Sequence, residues 1–405
     1  MSTAAPAVVL RLAPDRLHYG AVGVARSLGR LGVRVFVVDD ERRTVAGSSR
    51  YAAGTVTLNG AGDSAQAVEA LLRLAVRIGG RPVLIPFDDP AALVVDRHAE
   101  VLRDAFTFHR QPTELVETLL DKWTMTQLAR RHDVPVPETV RASSDSEAEE
   151  LLERLSYPLV LKGAESYVPG TSHRAELRVV ETRAEALAAY GAMSEAERAN
   201  VMFQEYIPGG PESIWMFNGY FDEDSECRVA FTGRKLRQWP PDIGATSLGV
   251  AVPNEEVAAL TKRFMKAIDY RGVLDIGYRY DERDGKYKVL DVNPRLGSTF
   301  RLFVDERTEV DVVRALYLDL TGQVVPAAEQ PLERKWIVED RDLRASLAYR
   351  RAGRLPLGTW LRSLRGTDEV AWFAWSDPVP FAGMLLRLVA GSLRRTRRRL
   401  DERRR

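Results

Sequence analysis

A pair of strands joined by a tight turn constrains the fold of this chain more than any other stretch. Residues 273–280 and 287–292 alternate between apolar and polar side chains in the manner of β-strands. The turn between them carries Asp284-Gly285, a dipeptide typical of a tight hairpin. The sequence therefore predicts a β-hairpin over residues 272–299.

The second strand of this hairpin ends in Asp291-Val292-Asn293-Pro294-Arg295. Alternate residues of a strand point to the same side, so Asp291 and Asn293 share a face. A carboxylate and an amide oxygen are ligands suited to Mg²⁺ that also binds phosphate oxygens. Arg295 follows within reach of the same anions. The alternative interpretation is a surface hairpin that ends in an Asx turn.

Length and composition predict a multidomain cytoplasmic protein. The chain has 405 residues, of which 45% are apolar and 28% charged, which is ordinary for a globular protein of two or three domains. Cys227 is the single cysteine, so no intrachain disulfide can form. No secretory signal is visible at the N-terminus, and no apolar run is long enough to span a membrane.

Charge is distributed unevenly along the chain. Residues 391–405 hold eight Arg, one Asp and one Glu, a local charge of +6, so the other 390 residues sum to −5. The body therefore lacks the basic surface of a nucleic-acid-binding protein, and we expect no nucleic-acid partner.

The N-terminal region predicts a small doubly wound α/β domain that ends near residue 112. Residues 8–12 and 33–38 are apolar strands, and residues 21–31 between them form a helix. Such a βαβ unit forms a parallel sheet with ligands at the carboxyl ends of its strands. The loop before the helix lacks the full glycine fingerprint of a dinucleotide site, which argues against NAD. Asp88-Asp89 follows a further strand and either binds a polar substrate or caps the next helix.

Two basic elements in the middle of the chain indicate an anionic ligand. Lys162 ends the apolar strand 158–162, where burial of its ammonium is unfavourable unless an anion lies close to it. Residues 163–174 then have the composition of a mobile flap. Arg234, Lys235 and Arg237 form a basic run suited to phosphate or a carboxylate. The alternative for this run is a solvated charged surface.

The order and spacing of these motifs resemble the ATP-grasp superfamily of carboxylate–amine ligases, with D-aspartate ligase-like proteins as the most similar branch. The resemblance covers about residues 5–325. The motifs that carry it are Asp121-Lys122, Pro158-Leu159-Val160-Leu161-Lys162, Gln204-Glu205-Tyr206-Ile207 with Glu212, and Asp291-Val292-Asn293-Pro294-Arg295. It implies an α/β fold with a parallel α/β domain at 1–112, two α+β subdomains that enclose ATP at 113–325, and a helical extension at 326–405.

The resemblance also implies roles for individual residues. Lys122 and Lys162 would contact the nucleotide phosphates, and the 163–174 loop would form a lid over them. The segment Gln204, Glu205, Tyr206, Ile207 would line the adenine, and Glu212 would bind the ribose. Asp291 and Asn293 would hold Mg²⁺, with Mn²⁺ as an alternative metal. Arg295 would stabilise the transferred phosphoryl group, and Arg234, Lys235 and Arg301 would hold the acylphosphate or the acceptor carboxylate.

One position departs from the family pattern. A further acidic ligand is expected near residue 277, where this chain has glycine. Asp275 lies two residues earlier on the same face of its strand, and it would replace that ligand after a slip or a bulge. The lid is also poor in glycine. Both departures leave open a nucleotide-binding protein without catalytic activity.

The implied reaction joins a small carboxylic acid to an amine through an acylphosphate, with release of ADP and phosphate. A biotin-free carboxylase on the same scaffold is the alternative enzyme. Substrate choice is expected to lie in residues 13–20, in Asp88-Asp89 and in residues 239–248. A homodimer also stays open.

The region beyond residue 325 lies outside the resemblance. Residues 335–338 read as a strand, and residues 342–351 and 357–365 as helices. An aromatic cluster, an apolar stretch at 381–390 and the Arg-rich end then follow. Two interpretations remain: a helix packed on the body followed by a disordered tail, or contact of residues 372–405 with the inner face of a membrane.

Overall fold

The computed structural model describes residues 5–13, 18–39, 44–58, 64–164 and 177–403, with side chains described as far as residue 391. The predicted lid at 163–174 lies mostly outside these ranges, as do residues 14–17 of the predicted substrate loop.

The N-terminal region forms a parallel sheet with helices on both sides. Its elements are β1 (Ala7–Leu10), α1 (Tyr19–Gly29), β2 (Val35–Asp39), β3 (Ala52–Thr57), α2 (Ser64–Ile78), β4 (Val83–Pro86), α3 (Asp89–Arg97) and α4 (Ala99–Leu102). The strand order is β3-β2-β1-β4, and each neighbouring pair is parallel. Strand alternation sends Ala7 and Val9 into a core with α1, and Val8 and Leu10 into a core with α2. The predicted doubly wound arrangement is confirmed.

The next region forms a small antiparallel sheet that is covered by helices on one face. Its elements are α5 (Leu115–Leu120), α6 (Lys122–Arg131), β5 (Thr139–Val140), α7 (Asp145–Arg154), β6 (Leu159–Gly163), β7 (Arg178–Val180), α8 (Arg183–Gly191), α9 (Glu195–Asn200) and β8 (Val201–Glu205). The strand order is β5-β8-β6-β7. Asp121 divides the helical region before this sheet into two helices, because its carboxylate accepts from Thr124 N at 2.7 Å and caps α6.

The remaining strands form one central sheet. Its elements are β9 (Ile214–Phe221), β10 (Cys227–Trp239), β11 (Ala245–Ala251), α10 (Glu255–Ala267), β12 (Gly272–Asp281), β13 (Lys286–Asn293), α11 (Val312–Leu320), β14 (Lys335–Ile337), α12 (Glu339–Arg351), α13 (Leu357–Ser363), β15 (Thr367–Val370) and α14 (Val379–Arg403). The order is β13-β12-β9-β10-β11-β14-β15. The hairpin predicted over residues 272–299 is formed by β12 and β13, at one edge of this sheet.

The C-terminal region is joined to the rest of the protein by strands as well as helices. The predicted strand at 335–338 and both predicted helices are present as β14, α12 and α13. The strand β15 was not foreseen, and it pairs in parallel with β14. Trp336 and Trp372 are buried in the same core as α1. Residues 326 onward therefore complete a core that begins with the first strand.

A buried arginine ties the start of the chain to its end. Arg26 on α1 is 4% exposed, and its Nε donates to Asp377 Oδ2 at 3.0 Å. Its Nη2 donates to Trp372 O at 2.6 Å and to Asp377 O at 2.9 Å. These bonds offset the cost of burying the guanidinium. Among the helices that the structure describes, none is long and apolar enough to cross a membrane.

Candidate active site

The face of the hairpin that carries the predicted metal ligands is set by a β-bulge in β13. Leu290 has no partner on β12, because Gly277 pairs with Asp291 while Tyr278 pairs with Val289. The register pairs on this face are Asp275 with Asn293, Gly277 with Asp291, and Arg279 with Lys288. Without the extra residue, Asp291 would lie on the opposite face from Lys288. The bulge thus gathers acidic and basic side chains on one surface.

The glycine at position 277 is explained by its partner across the hairpin. A Cβ built on Gly277 would lie 2.6 Å from Asp291 Oδ1, closer than a carbon and an oxygen can approach. Asp275 lies two residues earlier on the same face, opposite Asn293. A Cβ on Gly297 would in turn lie 2.4 Å from Asp275 Cγ. The backbone of the loop after β13 therefore packs directly against this carboxylate.

Hydrogen bonds link the predicted ligands to one another. Asn293 Nδ2 donates to Asp291 Oδ2 at 3.0 Å and to Asp275 Oδ2 at 3.3 Å. Asn218 on β9 donates from Nδ2 to Asp275 Oδ1 at 2.7 Å. In this arrangement the nitrogen of Asn293 faces the acids, so the amide would turn over to present its oxygen to a cation. Asn218 was not foreseen, since nothing in its local sequence connects it with the hairpin.

The electrostatics of this cluster favour a bound cation. Burial raises the pKa of Asp275 to about 6; the charge of Arg295 opposes this rise and that of Asp291 adds to it. No group of three or more His, Cys, Asp or Glu side chains positioned for a metal exists in the described part of the chain. A divalent ion would be held here by the carboxylates of Asp275 and Asp291 and the amide of Asn293. Phosphate or water would supply the other ligands.

A lysine from the small sheet faces this hairpin. Lys162 at the end of β6 is 7% exposed, and its Nζ lies 3.5 Å from the carbonyl oxygen of the bulged Leu290. Burial lowers its pKa to about 7, with a further decrease from Lys122 and an opposing effect of Asp291. Lys122 begins α6, and its backbone N donates to Ala164 O at 2.9 Å. The two predicted phosphate-binding lysines are thus brought together opposite the predicted metal ligands.

The remaining predicted nucleotide contacts follow β8. Gln204 pairs with Val160 across the sheet and shares the face of Lys162, but its Nε2 donates to Thr139 Oγ1 at 2.9 Å, within the protein. Ile207 is buried, and its backbone N–H donates to no group among the described residues. A buried donor without a partner is costly, so this amide suits a ligand acceptor such as an adenine nitrogen.

Basic residues of the hairpin engage the predicted adenine and ribose segment. Lys288 Nζ lies 3.5 Å from Glu205 Oε2 and 2.7 Å from Asp281 Oδ2. Arg279 places its guanidinium over the ring of Tyr206, with Cζ 5.5 Å from the centroid. Glu212 is exposed in the short 3₁₀ helix Pro211–Ser213 and adds to the negative potential at Arg279. These contacts cross from the small sheet to the central sheet, so they were not visible in the sequence.

The predicted basic run on β10 divides between two faces. Lys235 feels the charges of Asp291 and Asp275, while burial lowers its pKa, and its Nζ donates to Gly244 O at 2.9 Å. Strand alternation directs Arg234 to the opposite face. Arg237 lies beyond a bulge and pairs with Asp342 on α12 at 2.8 Å. Of this run, the structure brings only Lys235 toward the acids.

The two remaining arginines have distinct surroundings. Arg301 is 7% exposed and donates to Asp311 at 2.7 Å and to both oxygens of Glu369 at 2.8 and 2.7 Å. These bonds occupy its guanidinium and attach β15 to the loop after β13. Arg295 donates from Nη2 to Asn293 Oδ1 at 3.0 Å and from Nε to Asp89 Oδ1 at 2.7 Å. Arg295 therefore lies beside the metal ligands.

The acidic pair after β4 serves two purposes. Asp88 caps α3 by accepting from Ala91 N at 2.9 Å, as one of the two sequence interpretations predicted. It also accepts from the backbone of Leu12 and Ala13, and burial raises its pKa. Asp89 instead forms an ion pair with Arg295. The pairing of Asp89 with Arg295 joins residues 206 positions apart, so it was not predictable from local sequence.

The charges across the cleft fit magnesium and a polyphosphate. On the side of the small sheet, the positive charges of Lys162 and Lys122 repel each other. On the side of the hairpin, the negative charges of Asp291 and Asp275 repel each other. A triphosphate would relieve the repulsion between the lysines, and a divalent cation would relieve that between the acids. The residues present therefore suit both groups.

Comparisons with known proteins agree with this geometry. No protein-family model matches the chain. It is 29% identical over 244 residues to D-aspartate ligase of Enterococcus faecium (strain Aus0004), an alignment that covers 57% of this chain and 58% of that protein. The chain thus spans less than two thirds of that relative's length.

Two solved structures are similar in fold. The L-amino acid ligase of Bacillus licheniformis superposes with a TM-score of 0.58 at 16% identity, over 78% of this chain and 74% of that one. The biotin carboxylase domain of Hydrogenobacter thermophilus 2-oxoglutarate carboxylase was solved with MgADP and bicarbonate. It superposes with a TM-score of 0.61 at 16% identity, over 81% of this chain and 73% of that one. These proteins belong to the carboxylate–amine ligase group of the ATP-grasp superfamily. The chain therefore has the ATP-grasp fold.

Proposed function

We propose that this protein is an ATP-dependent carboxylate–amine ligase. The observation that carries the proposal is the convergence of two lysines from the small sheet with two carboxylates and an amide from the hairpin. Lys162 approaches Leu290, the residue next to Asp291, although 128 positions separate it from Leu290 in sequence. Such opposed charges suit a polyphosphate that shares a divalent ion with the protein.

Each part of ATP has residues that suit it. Lys122 and Lys162 would neutralise phosphate oxygens, and the free amide of Ile207 would donate to the adenine. Glu212 would accept from the ribose hydroxyls. Asp275, Asp291 and Asn293 would hold Mg²⁺, or Mn²⁺, which when bound polarises the phosphoryl group toward attack.

The proposed reaction has two balanced steps. A carboxylate oxygen of the substrate attacks the γ-phosphorus, and the bond from that phosphorus to the bridging oxygen breaks, which gives an acylphosphate and ADP. An amine then attacks the acyl carbon, the carbon–oxygen bond to phosphate breaks, and a proton from the amine passes to solvent. Arg295 and Lys235 would stabilise charge on the transferred group and on the acyl oxygen. No side chain is required as a covalent catalyst.

The acid substrate proposed first is D-aspartate. This choice rests on the name of the curated relative, with which the chain shares 29% identity. The second substrate is a small amine. In sequence, residues 13–20, Asp88-Asp89 and residues 239–248 follow β1, β4 and β10, so they remain the proposed determinants of specificity.

The test is formation of ADP by the purified full-length chain. D-aspartate, other amino acids and bicarbonate would be supplied with a panel of amines, MgCl₂ and ATP. We expect one acid–amine pair to stimulate ADP release and Asp291→Asn to abolish it. Heavy-oxygen label in the carboxylate should appear in the released phosphate, because one of its oxygens bonds to phosphorus in the acylphosphate.

Two results would count against the ligase. Stimulation by bicarbonate without an acid–amine pair would indicate a carboxylase. Binding of ATP with no stimulation by any acid would indicate a nucleotide-binding protein. A cytoplasmic location remains a prediction, and a homodimer stays open.

A further inference from the structure

The last helix of the protein is apolar on the side that faces away from the core. One side of α14 packs inward: Met384 is buried, and Phe381 and Leu388 are partly buried against the core that contains α1. The opposite side is exposed and carries Val379, Ala382, Leu385, Leu386, Val389 and Ala390. A helix on the surface of a globular protein normally presents charged residues there. Half-buried Arg387 is the one charged residue between positions 379 and 390.

The spacing of the exposed residues makes them one continuous stripe. Positions 379, 382, 386 and 389 recur every three or four residues, which places them above one another on a helix. Leu386 is 71% exposed and Val389 is 59% exposed. We call the six exposed residues of α14, together with Trp375, the outer face.

An exposed tryptophan lies four residues before the start of the helix. Trp375 is 91% exposed, and its ring contacts Phe373 edge-on with centroids 4.9 Å apart. Exposure of a whole indole ring to water has a free-energy cost that is proportional to its apolar area. Tryptophan is enriched where membrane and water meet, because its ring is apolar and its N–H is polar. The exposure of Trp375 suits such an interface.

Charge selects the kind of surface that would cover the outer face. The second half of α14 and the two residues after it, 391–405, carry a net charge of +6, while the rest of the protein carries −5. A second copy packed in parallel along the same helix would bring two strongly positive segments together. An anionic lipid surface attracts the positive segment and repels the negative body, so this end of the protein would lie against it.

We propose that the outer face of α14 docks this protein on an anionic lipid surface. The helix lies in the plane of the interface, with its apolar stripe toward the acyl chains and the basic segment near the headgroups. Met384, Phe381 and Leu388 keep the helix attached to the body. The proposal is independent of the reaction at the ATP site.

The experiment is co-sedimentation of the full-length chain with two kinds of vesicle, phosphatidylcholine alone and phosphatidylcholine mixed with phosphatidylglycerol. We expect sedimentation with the mixed vesicles, and its loss when NaCl is raised to about 1 M, where the Debye length is about 3 Å. Leu386→Glu with Val389→Glu should weaken binding by about tenfold or more, since two charges would enter the apolar layer. Both positions are exposed, so the fold should tolerate the change.

The matched control is Val76→Glu with Val324→Glu. These valines are 85% and 86% exposed on other parts of the protein, so the control adds the same charge without altering the outer face. It should bind the mixed vesicles nearly as the unchanged protein does. The fluorescence of the unchanged protein should shift to shorter wavelength on binding, and Trp375→Phe should reduce that shift.

Three results would overturn the proposal. The first is equal sedimentation of the Leu386 and Val389 double variant and the unchanged protein. The second is absence of sedimentation with either kind of vesicle. The third is a dimer in solution that the double variant dissociates while vesicles bind neither protein, which would make the outer face a contact between copies of this chain.

Discussion

Arg295 Nε donates to Asp89 Oδ1 at 2.7 Å, and this ion pair joins the end of β13 to the start of α3 in the N-terminal region. The same guanidinium reaches Asn293 Oδ1 at 3.0 Å. Asp89 therefore fixes the direction of an arginine that borders the predicted metal ligands. The relationship connects the region expected to select substrates with the region expected to bind phosphate.

Replacement of Asp89 by asparagine should reduce turnover by about 10- to 100-fold, because Arg295 would lose the charge that orients it. The KM for ATP should change little, since the proposed phosphate-binding residues Lys122 and Lys162 are retained. Steady-state kinetics of ADP release would separate these effects. Asp104→Asn, at an exposed position of the same region, serves as the control. An unchanged turnover would mean that Arg295 is positioned without Asp89.

The metal-binding assignment predicts different behaviour for neighbouring acids. Asp291→Asn and Asp275→Asn should each lower MgATP-dependent phosphate release by about 100-fold or more, because each removes a charge that would bind the cation. Glu282→Gln, in the exposed turn of the same hairpin, should leave the rate unchanged. Titration with MgCl₂ at fixed ATP measures the effect. Full activity of Asp275→Asn would exclude this residue as the replacement for the expected acid.

The close approach of Gly277 to Asp291 gives a prediction that separates function from stability. Gly277→Ala would place a methyl group 2.6 Å from Asp291 Oδ1 unless the carboxylate turned away. That rotation is cheap for the fold, so the melting temperature should stay close to its original value. The concentration of Mg²⁺ needed for half-maximal activity should rise about tenfold. Gly358→Ala, where a Cβ meets nothing within 4 Å, is the matched control.

The buried position of Lys162 makes stability depend on pH. Its pKa falls from 10.5 to about 7 in the folded protein. Between these values the unfolded chain binds a proton that the folded chain does not, so the free energy of unfolding should rise with pH across this window, by up to about 1.4 kcal/mol per pH unit. Below pH 7 both states are protonated and this dependence disappears. Urea unfolding at several pH values would measure it.

Lys162→Met should flatten that pH dependence, raise stability near pH 7 and weaken ATP binding. The exposed Lys286→Met should do none of these. Binding of ATP to the unchanged protein near pH 8 should also take up protons, since the phosphates would restore the charge of Lys162. Calorimetry in two buffers of different ionisation enthalpy detects this uptake. Equal proton uptake by Lys162→Met and the unchanged protein would contradict the assignment.

Features that depend on local sequence were predictable. The hairpin, its Asp-Gly turn and the shared face of Asp291 and Asn293 follow from strand periodicity alone. The cap of α3 by Asp88 follows from the residue type that precedes that helix. The parallel N-terminal sheet follows from the handedness of βαβ units.

Features that depend on contacts between distant segments were not predictable in the same way. The approach of Lys162 to Leu290 requires the relative placement of two sheets. The bond from Asn218 to Asp275 requires the pairing of β9 with β12. A slip or a bulge was predicted only in connection with Asp275, whereas the bulge lies at Leu290 on the partner strand. Arg301 was predicted to hold a substrate. Its pairing with Glu369 was not predictable, because the two residues are 68 positions apart.

The contacts of Arg26 have a consequence for synthesis of the chain on the ribosome. The side chain leaves the ribosome early, but its partners at Ala371, Trp372 and Asp377 are 345 to 351 residues behind it. Until those residues emerge, burial of α1 would enclose an unpaired guanidinium, which is costly. The first strand and helix must therefore wait in an incomplete core, exposed to chaperones and proteases, until residues 371–377 have been synthesised.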